Sequence, residues 1–198
     1  MNRQSKILGE IEEFAKANFV PIIRPKSAKI LCDLVKTQNP KRILEVGTAI
    51  GYSGILMLEN APDARLVTIE KDKSRLELAK QNFEKCGTNA RVQTILADAN
   101  QAVQNLDGTF DFIFLDGPKS HYGRQLPYLL KHLSLGGTIV ADNVLFMGQV
   151  LSGEYPAHKH RTAILRLREF LQMVESDPNL ESQLLDIEDG MLIIKKTK

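Results

Sequence analysis

The chain has 198 residues, 43% of them hydrophobic and 25% charged, with a formal net charge of +2. That length supports one core and a single domain over 1–198, and the composition excludes disordered, collagen-like and disulfide-dense classes. The small charge marks neither a nucleic-acid nor a membrane surface, and no stretch reaches the roughly 18 apolar residues of a membrane span.

The first residues, 1–13, are polar and charged rather than leader-like, which makes the cytoplasm the expected compartment. Residues 5–18 read as a helix with Ile7, Leu8, Ile11, Phe14 and Ala15 on one side. Val20-Pro21-Ile22-Ile23 is extended, because proline removes a backbone donor. Ser27 is placed to cap a second helix that buries Ile30, Leu31, Leu34 and Val35 and stops at Asn39-Pro40. Together 1–40 form a helical appendage. Strands and helices then alternate. Strands are expected at 42–46, 64–69, 91–96, 111–115 and 137–140. The helices between them are expected at 53–60, 74–86 (with Gly87 as its C-cap), 101–106 and 122–133, the last broken or begun near Pro127. A loop over 144–157 leads to a helix at 161–175. A final strand pair, 182–187 and 191–195, turns about Asp189-Gly190. Cys32 and Cys86 fall in helical patterns without a motif and are expected as reduced thiols.

Alternation of this kind predicts an α/β fold, a mostly parallel sheet covered on both faces, with an antiparallel hairpin at the C-terminal edge. Each of the first five strands has an acid at or just beyond its end: Glu45, Glu70, Asp98, Asp116 and Asp142. Ligands of open α/β sheets bind at the carboxyl ends of strands, so five acids in phase describe a rim rather than scatter.

The turn after the first strand is Gly47-Thr48-Ala49-Ile50-Gly51-Tyr52-Ser53. Its glycines are four apart, which is not the G-x-G-x-x-G spacing of dinucleotide sites, and Glu45 would repel a pyrophosphate. S-adenosylmethionine suits the site better, since it carries an ammonium and a sulfonium and no phosphate. Glu45 and the Gly47 backbone would face its methionine part, Glu70 its ribose hydroxyls, and Asp98 with Ala99 its adenine. A second cluster, Asp116, Asp142 and Asn143, offers hard oxygen ligands suited to Mg²⁺ or another divalent cation. Two vicinal substrate oxygens could complete such a shell, and a hydroxyl bound there would ionise more readily. Lys119, three residues after Asp116, is the candidate general base. His121 and Tyr122 are candidates to line a substrate pocket, and Phe146, Met147 and Tyr155 to form an apolar wall.

Three segments carry a resemblance: Leu44 to Ser53, Phe114-Leu115-Asp116-Gly117-Pro118-Lys119, and Ala141-Asp142-Asn143-Val144-Leu145. They resemble the cation-dependent O-methyltransferases, the catechol and caffeoyl-CoA group, over almost the whole chain. The resemblance implies a doubly wound, Rossmann-like class I methyltransferase with a seven-stranded sheet. It implies S-adenosylmethionine on the first motif, here Glu45, Gly47, Thr48, Gly51, Tyr52 and Ser53, with Glu70, Asp98, Ala99 and Asp116 completing the cofactor set. It implies metal on Asp116, Asp142 and Asn143, Lys119 as catalytic base, and a homodimer. The chain has Asp116-Gly117-Pro118-Lys119 where the family often has Asp-Ala-Asp/Ala-Lys, so Pro118 stiffens the turn that carries Lys119. The expected reaction is methylation of a ring hydroxyl on a catechol-like small molecule. The group also includes a bacterial tRNA methyltransferase acting on wobble 5-hydroxyuridine, which Val20-Pro21-Ile22 and the stretch 142–148 resemble. His158-Lys159-His160-Arg161, Arg166 and Arg168 would then meet phosphates. Two further alternatives are a nicotinamide-dependent oxidoreductase, which the glycine spacing disfavours, and a non-catalytic cofactor-binding module, which the intact metal set disfavours.

Overall fold

The computed structural model describes residues 3–152, 155–156 and 160–198. Its strands follow the order β3-β2-β1-β4-β5-β7-β6 in one seven-stranded sheet, and the chain divides into two compact units, residues 1–99 and 100–198.

In the first unit, α1 (Arg3–Ala17) and α2 (Pro25–Gln38) precede β1 (Arg42–Val46), α3 (Tyr52–Asn60), β2 (Arg65–Glu70), α4 (Lys73–Lys85) and β3 (Val92–Leu96). The three strands are parallel, with Val46 beside Ile69 and Ile69 beside Ile95. Ile43, Leu44 and Val46 are fully buried, as a strand covered on both faces requires, and Glu45 is buried among them. Two helix ends differ from the sequence reading. Arg24 is the N-cap of α2 and Pro25 occupies its first turn, so Ser27 lies inside the helix and is buried. At the end of α4 the cap is Cys86, and Gly87 follows with φ 70°. Asp72 begins α4 by accepting the backbone N–H of Arg75 at 3.0 Å.

After the short α5 (Ala99–Ala102), the second unit contains β4 (Phe110–Leu115), α6 (Tyr122–His132), β5 (Leu133–Asp142), α7 (Arg161–Ser176), β6 (Leu180–Leu185) and β7 (Met191–Lys196). Parallel β4 and β5 end in register, Leu115 beside Ala141, while β7 runs antiparallel to both β5 and β6. Pro127 sits within α6 without ending it. β5 starts four residues earlier than the sequence pattern suggests, because Leu133 already pairs with Phe110. The register then shifts before Phe112 and Thr138, so Gly136-Gly137 marks an irregularity in the strand rather than its start. The final hairpin closes between Leu185 and Met191, so its loop is 186–190, wider than a two-residue turn. Cys32 is half-buried and Cys86 buried, and both are free thiols. Among the described residues, no helix is long and apolar enough to cross a membrane.

Candidate active site

The glycine turn of the first unit is built around two carboxylates. Glu45 has no solvent exposure and accepts the Ser53 hydroxyl at 2.5 Å and the Thr68 hydroxyl at 2.6 Å. Thr68 thereby uses its only proton, so the Thr48 hydroxyl, 2.5 Å away, donates to Thr68. A fully enclosed anion is stable only when hydrogen-bonded in this way. Glu45 is therefore enclosed behind the Ser53 and Thr68 hydroxyls rather than presented on an open surface.

Glu70 is also buried; its Oε2 accepts the Ala49 N–H at 2.9 Å and its Oε1 those of Lys71 and Asp72, each at 2.9 Å. Gly47 and Thr48 donate their N–H groups to the Ile69 carbonyl, and Gly51 donates to Thr48. These N–H groups are what a pyrophosphate-cradling turn would turn toward its ligand. Here they serve the protein. The remaining chemistry is two buried carboxylates and a lone pair on Glu70 Oε2, which suits a ligand bearing positive charge and hydroxyl donors. S-adenosylmethionine has both, so the residues present fit it.

Backbone conformation and close packing fix the turn. Gly47, Ala49 and Gly51 have φ of 106°, 46° and 85°. A Cβ on Gly51 would stand 3.1 Å from Phe83 Cζ and 3.3 Å from Ala79 Cβ; one on Gly54 would stand 2.8 Å from Leu66 Cδ2 and 3.1 Å from Glu45 Oε2. Asn82 of α4 donates to the Ile50 carbonyl at 2.9 Å. The Tyr52 hydroxyl donates to Glu12 of α1. Burial, and then this hydrogen bond, push the Tyr52 phenol well above its ordinary range. Asp98 is exposed and Ala99 half-buried, just beyond β3.

The second unit holds the oxygen cluster. One residue past the last register pair of β4 and β5 stand Asp116 and Asp142. Asp142 is 1% exposed. Asn143 follows with φ 57°, a left-handed conformation that asparagine tolerates better than most residues. Lys119 opens a 3-10 turn, Lys119–His121, and its Nζ donates to Asp116 Oδ1 at 2.7 Å and to the Tyr122 hydroxyl at 2.9 Å. Pro118, with φ −61°, therefore does not keep Lys119 from Asp116. Burial pulls the Lys119 ammonium down, but Tyr122, Asp116 and the hydrogen bonds to both outweigh it, and the net shift is upward. Among the described residues no three His, Cys, Asp or Glu side chains form a metal cluster. The candidate set is instead two carboxylates and an amide, all hard oxygen donors, and that chemistry fits a divalent cation such as Mg²⁺.

Other expected residues take different places. Tyr122 is fully buried. The Nδ1 of His121 and the Nδ2 of Asn100 are 2.9 Å apart, and Gln125 donates to Asn100 Oδ1 at 3.2 Å. Phe146 packs its ring 5.1 Å from that of His160, while Met147 and Tyr155 are exposed. Arg161 lies 4.8 Å over the Tyr155 ring. Arg166 pairs with Glu169 at 2.6 Å, and Arg168 donates to the carbonyls of Val150 and Gln149, both at 2.9 Å. Of the basic stretch expected to meet phosphate, these arginines are engaged within the protein, and His158 and Lys159 lie outside the described residues.

Some structural supports escaped the sequence reading. Thr68 lies mid-strand and looks like an ordinary β-branched core residue. Gly54 lies inside α3, where only its spacing from the turn hints at close packing. Gly190 was read as a turn residue, yet its carbonyl accepts the Val144 N–H at 3.1 Å, beside the candidate metal ligand Asn143.

The O-methyltransferase family model matches residues 2–197. Catechol O-methyltransferase of Niastella koreensis is 30% identical over 187 residues, covering 91% of this chain and 83% of its own. Caffeoyl-CoA O-methyltransferase of Populus kitakamiensis is 30% identical over 179 residues, covering 85% and 75%. The crystal structure of an O-methyltransferase from Bacillus cereus in complex with SAH superposes with a TM-score of 0.87 at 26% identity, covering 96% of this chain and 90% of that one. The chain belongs to the S-adenosylmethionine-dependent O-methyltransferases of the caffeoyl-CoA and catechol type.

Proposed function

We propose that this enzyme methylates a ring hydroxyl of a catechol-like small molecule, with a divalent cation such as Mg²⁺ held by Asp116, Asp142 and Asn143. The observation carrying this reading is the gathering of two carboxylates, an amide and an ammonium at the carboxyl ends of β4 and β5. The names of two relatives include catechol and caffeoyl-CoA, which supports a phenolic acceptor.

When bound, S-adenosylmethionine supplies an electrophilic methyl group, and the cation supplies Lewis acidity to an acceptor hydroxyl. The protein's work is binding and proton handling. Ser53, Thr48 and the Gly47–Gly51 turn, braced by Glu45 and Glu70, hold the methyl donor, and Tyr52, Asp98 and Ala99 complete its seat. Lys119, held by Asp116 and the Tyr122 hydroxyl, is the residue that takes the acceptor proton or steadies the developing oxyanion. Holding donor and acceptor in line supplies much of the acceleration.

We further propose that the whole chain works as one cytoplasmic domain and as a homodimer, the latter to be checked by sedimentation. The deciding experiment is labelled methyl transfer to a panel of catechols and to unmodified and 5-hydroxyuridine tRNA. Transfer to catechols with Mg²⁺ is the expected result; transfer to hydroxylated tRNA alone would replace the small-molecule reading. Lys119→Ala should lower kcat by about 10²-fold or more while leaving S-adenosylmethionine affinity unchanged; an unchanged kcat would remove Lys119 as the proton-handling group.

A further inference from the structure

We infer that the Tyr122 hydroxyl is a positioning residue that fixes the two strand ends carrying the metal ligands and the ammonium of Lys119 in one arrangement. The inference rests on the metal-dependent reading above and adds a residue to it.

Tyr122 begins α6 and is fully buried, its ring meeting Phe170 of α7 edge-on at 5.5 Å between centroids. Its hydroxyl lies 2.9 Å from the Leu115 carbonyl and 3.1 Å from the Asp142 carbonyl. The first is the residue immediately before Asp116, and the second belongs to a candidate ligand itself. Lys119 Nζ donates to the same hydroxyl at 2.9 Å.

A phenol has one proton to give and oxygen lone pairs to accept with. The single O–H lies within reach of both carbonyls, while a lone pair receives Lys119. One atom thus touches the end of β4, the end of β5 and the ammonium. The β4 end, the β5 end and the ammonium cannot drift apart without losing a hydrogen bond to this buried hydroxyl. The β4–β5 ladder does not reach the ligands, because its last register pair is Leu115 beside Ala141; Asp142 pairs on its other side with Met191 of β7. A metal site demands ligand placement within tenths of an ångström, and groups that orient ligands from behind commonly affect affinity by about 10–100-fold.

Tyr122→Phe keeps the ring, its contact with Phe170 and the burial, and removes only the shared oxygen. Phe170→Leu loosens the same ring while leaving the hydroxyl, and so reports a purely structural effect. Mn²⁺ and Mg²⁺ binding to the three full-length proteins is measured by calorimetry, with S-adenosylmethionine affinity and kcat alongside. Hydrogen exchange is followed in the 115–122 and 142–145 segments.

The expected result for Tyr122→Phe is metal binding weaker by about tenfold or more, a lower kcat, S-adenosylmethionine affinity within twofold, and faster exchange in both segments. Phe170→Leu should lose stability without the metal effect. Unchanged metal affinity in Tyr122→Phe, or an equal loss in Phe170→Leu, would overturn the inference. If the wild type binds neither ion, the metal reading fails, and the exchange data still decide whether the hydroxyl holds the two strand ends. Exchange unchanged by Tyr122→Phe would overturn the inference in that case as well.

Discussion

At the scale of single residues, the site depends on who donates to whom. Glu45 receives two hydroxyl protons and has no exposure. Glu45→Gln would put an NH₂ group opposite one of those donors. The expected outcome is a loss of about 1–3 kcal/mol in stability, measured by urea denaturation, together with weaker S-adenosylmethionine binding by calorimetry. Unchanged values for both would show that the Ser53–Glu45–Thr68 network is not needed. Glu59 of α3 gives a pH-dependent case. Its Oε1 is enclosed without a hydrogen-bond partner, and burial raises its carboxyl above the usual value. A raised carboxyl binds its proton more tightly when folded, so its contribution is fully present below the unfolded value. That contribution is lost as pH rises through the folded one. Glu59→Gln should therefore raise the melting temperature at pH 7 and leave it nearly unchanged well below pH 4. A decrease at pH 7 would contradict this. The acids of the rim were legible in the sequence because their positions at strand ends repeat. Their hydrogen-bond partners were not, because Thr68 and Tyr122 are brought to them by packing rather than by spacing.

At the scale of elements, the loop after β5 is held by its neighbours rather than by its own propensity. Asn143, Phe146 and Met147 all have positive φ. Compensation comes from the 186–190 turn: Leu145 donates to the Asp189 carbonyl at 2.9 Å, Val144 to that of Gly190, and the Met147 N–H to the Asp189 carboxylate. Arg168 of α7 secures the far end of the loop through the carbonyls of Gln149 and Val150. A Cβ on Gly190 would fall 2.2 Å from Leu145 Cγ, at a φ of 83° that side chains rarely adopt. Gly190→Ala should cost about 1–3 kcal/mol and reduce metal affinity through Asn143, measured by thermal unfolding and calorimetry. Wild-type stability would show that the loop can move aside. The hairpin itself was readable from Asp189-Gly190. Its hold on residues 144–147 was not, since Gly190 lies 46 positions after Val144 in the sequence and the antiparallel β5–β7 pairing brings them together.

At the scale of the whole molecule, alternating apolar runs made the α/β plan legible, and the repeat of acids at or near strand ends was legible too. The strand order and the irregularity at Gly136-Gly137 follow from pairing partners, which a local pattern does not contain. The 144–160 stretch has no repeat or motif from which to read a shape. The proposed reaction needs a divalent cation on Asp116, Asp142 and Asn143. Its most direct measurement is labelled methyl transfer to a catechol by EDTA-stripped enzyme as Mg²⁺ is added back, with the Asp142→Ala variant in parallel. The account predicts no transfer without metal, recovery with Mg²⁺ in the wild type, and none in the variant despite near-normal S-adenosylmethionine binding. Full transfer in EDTA, or a fully active Asp142→Ala enzyme, would contradict it.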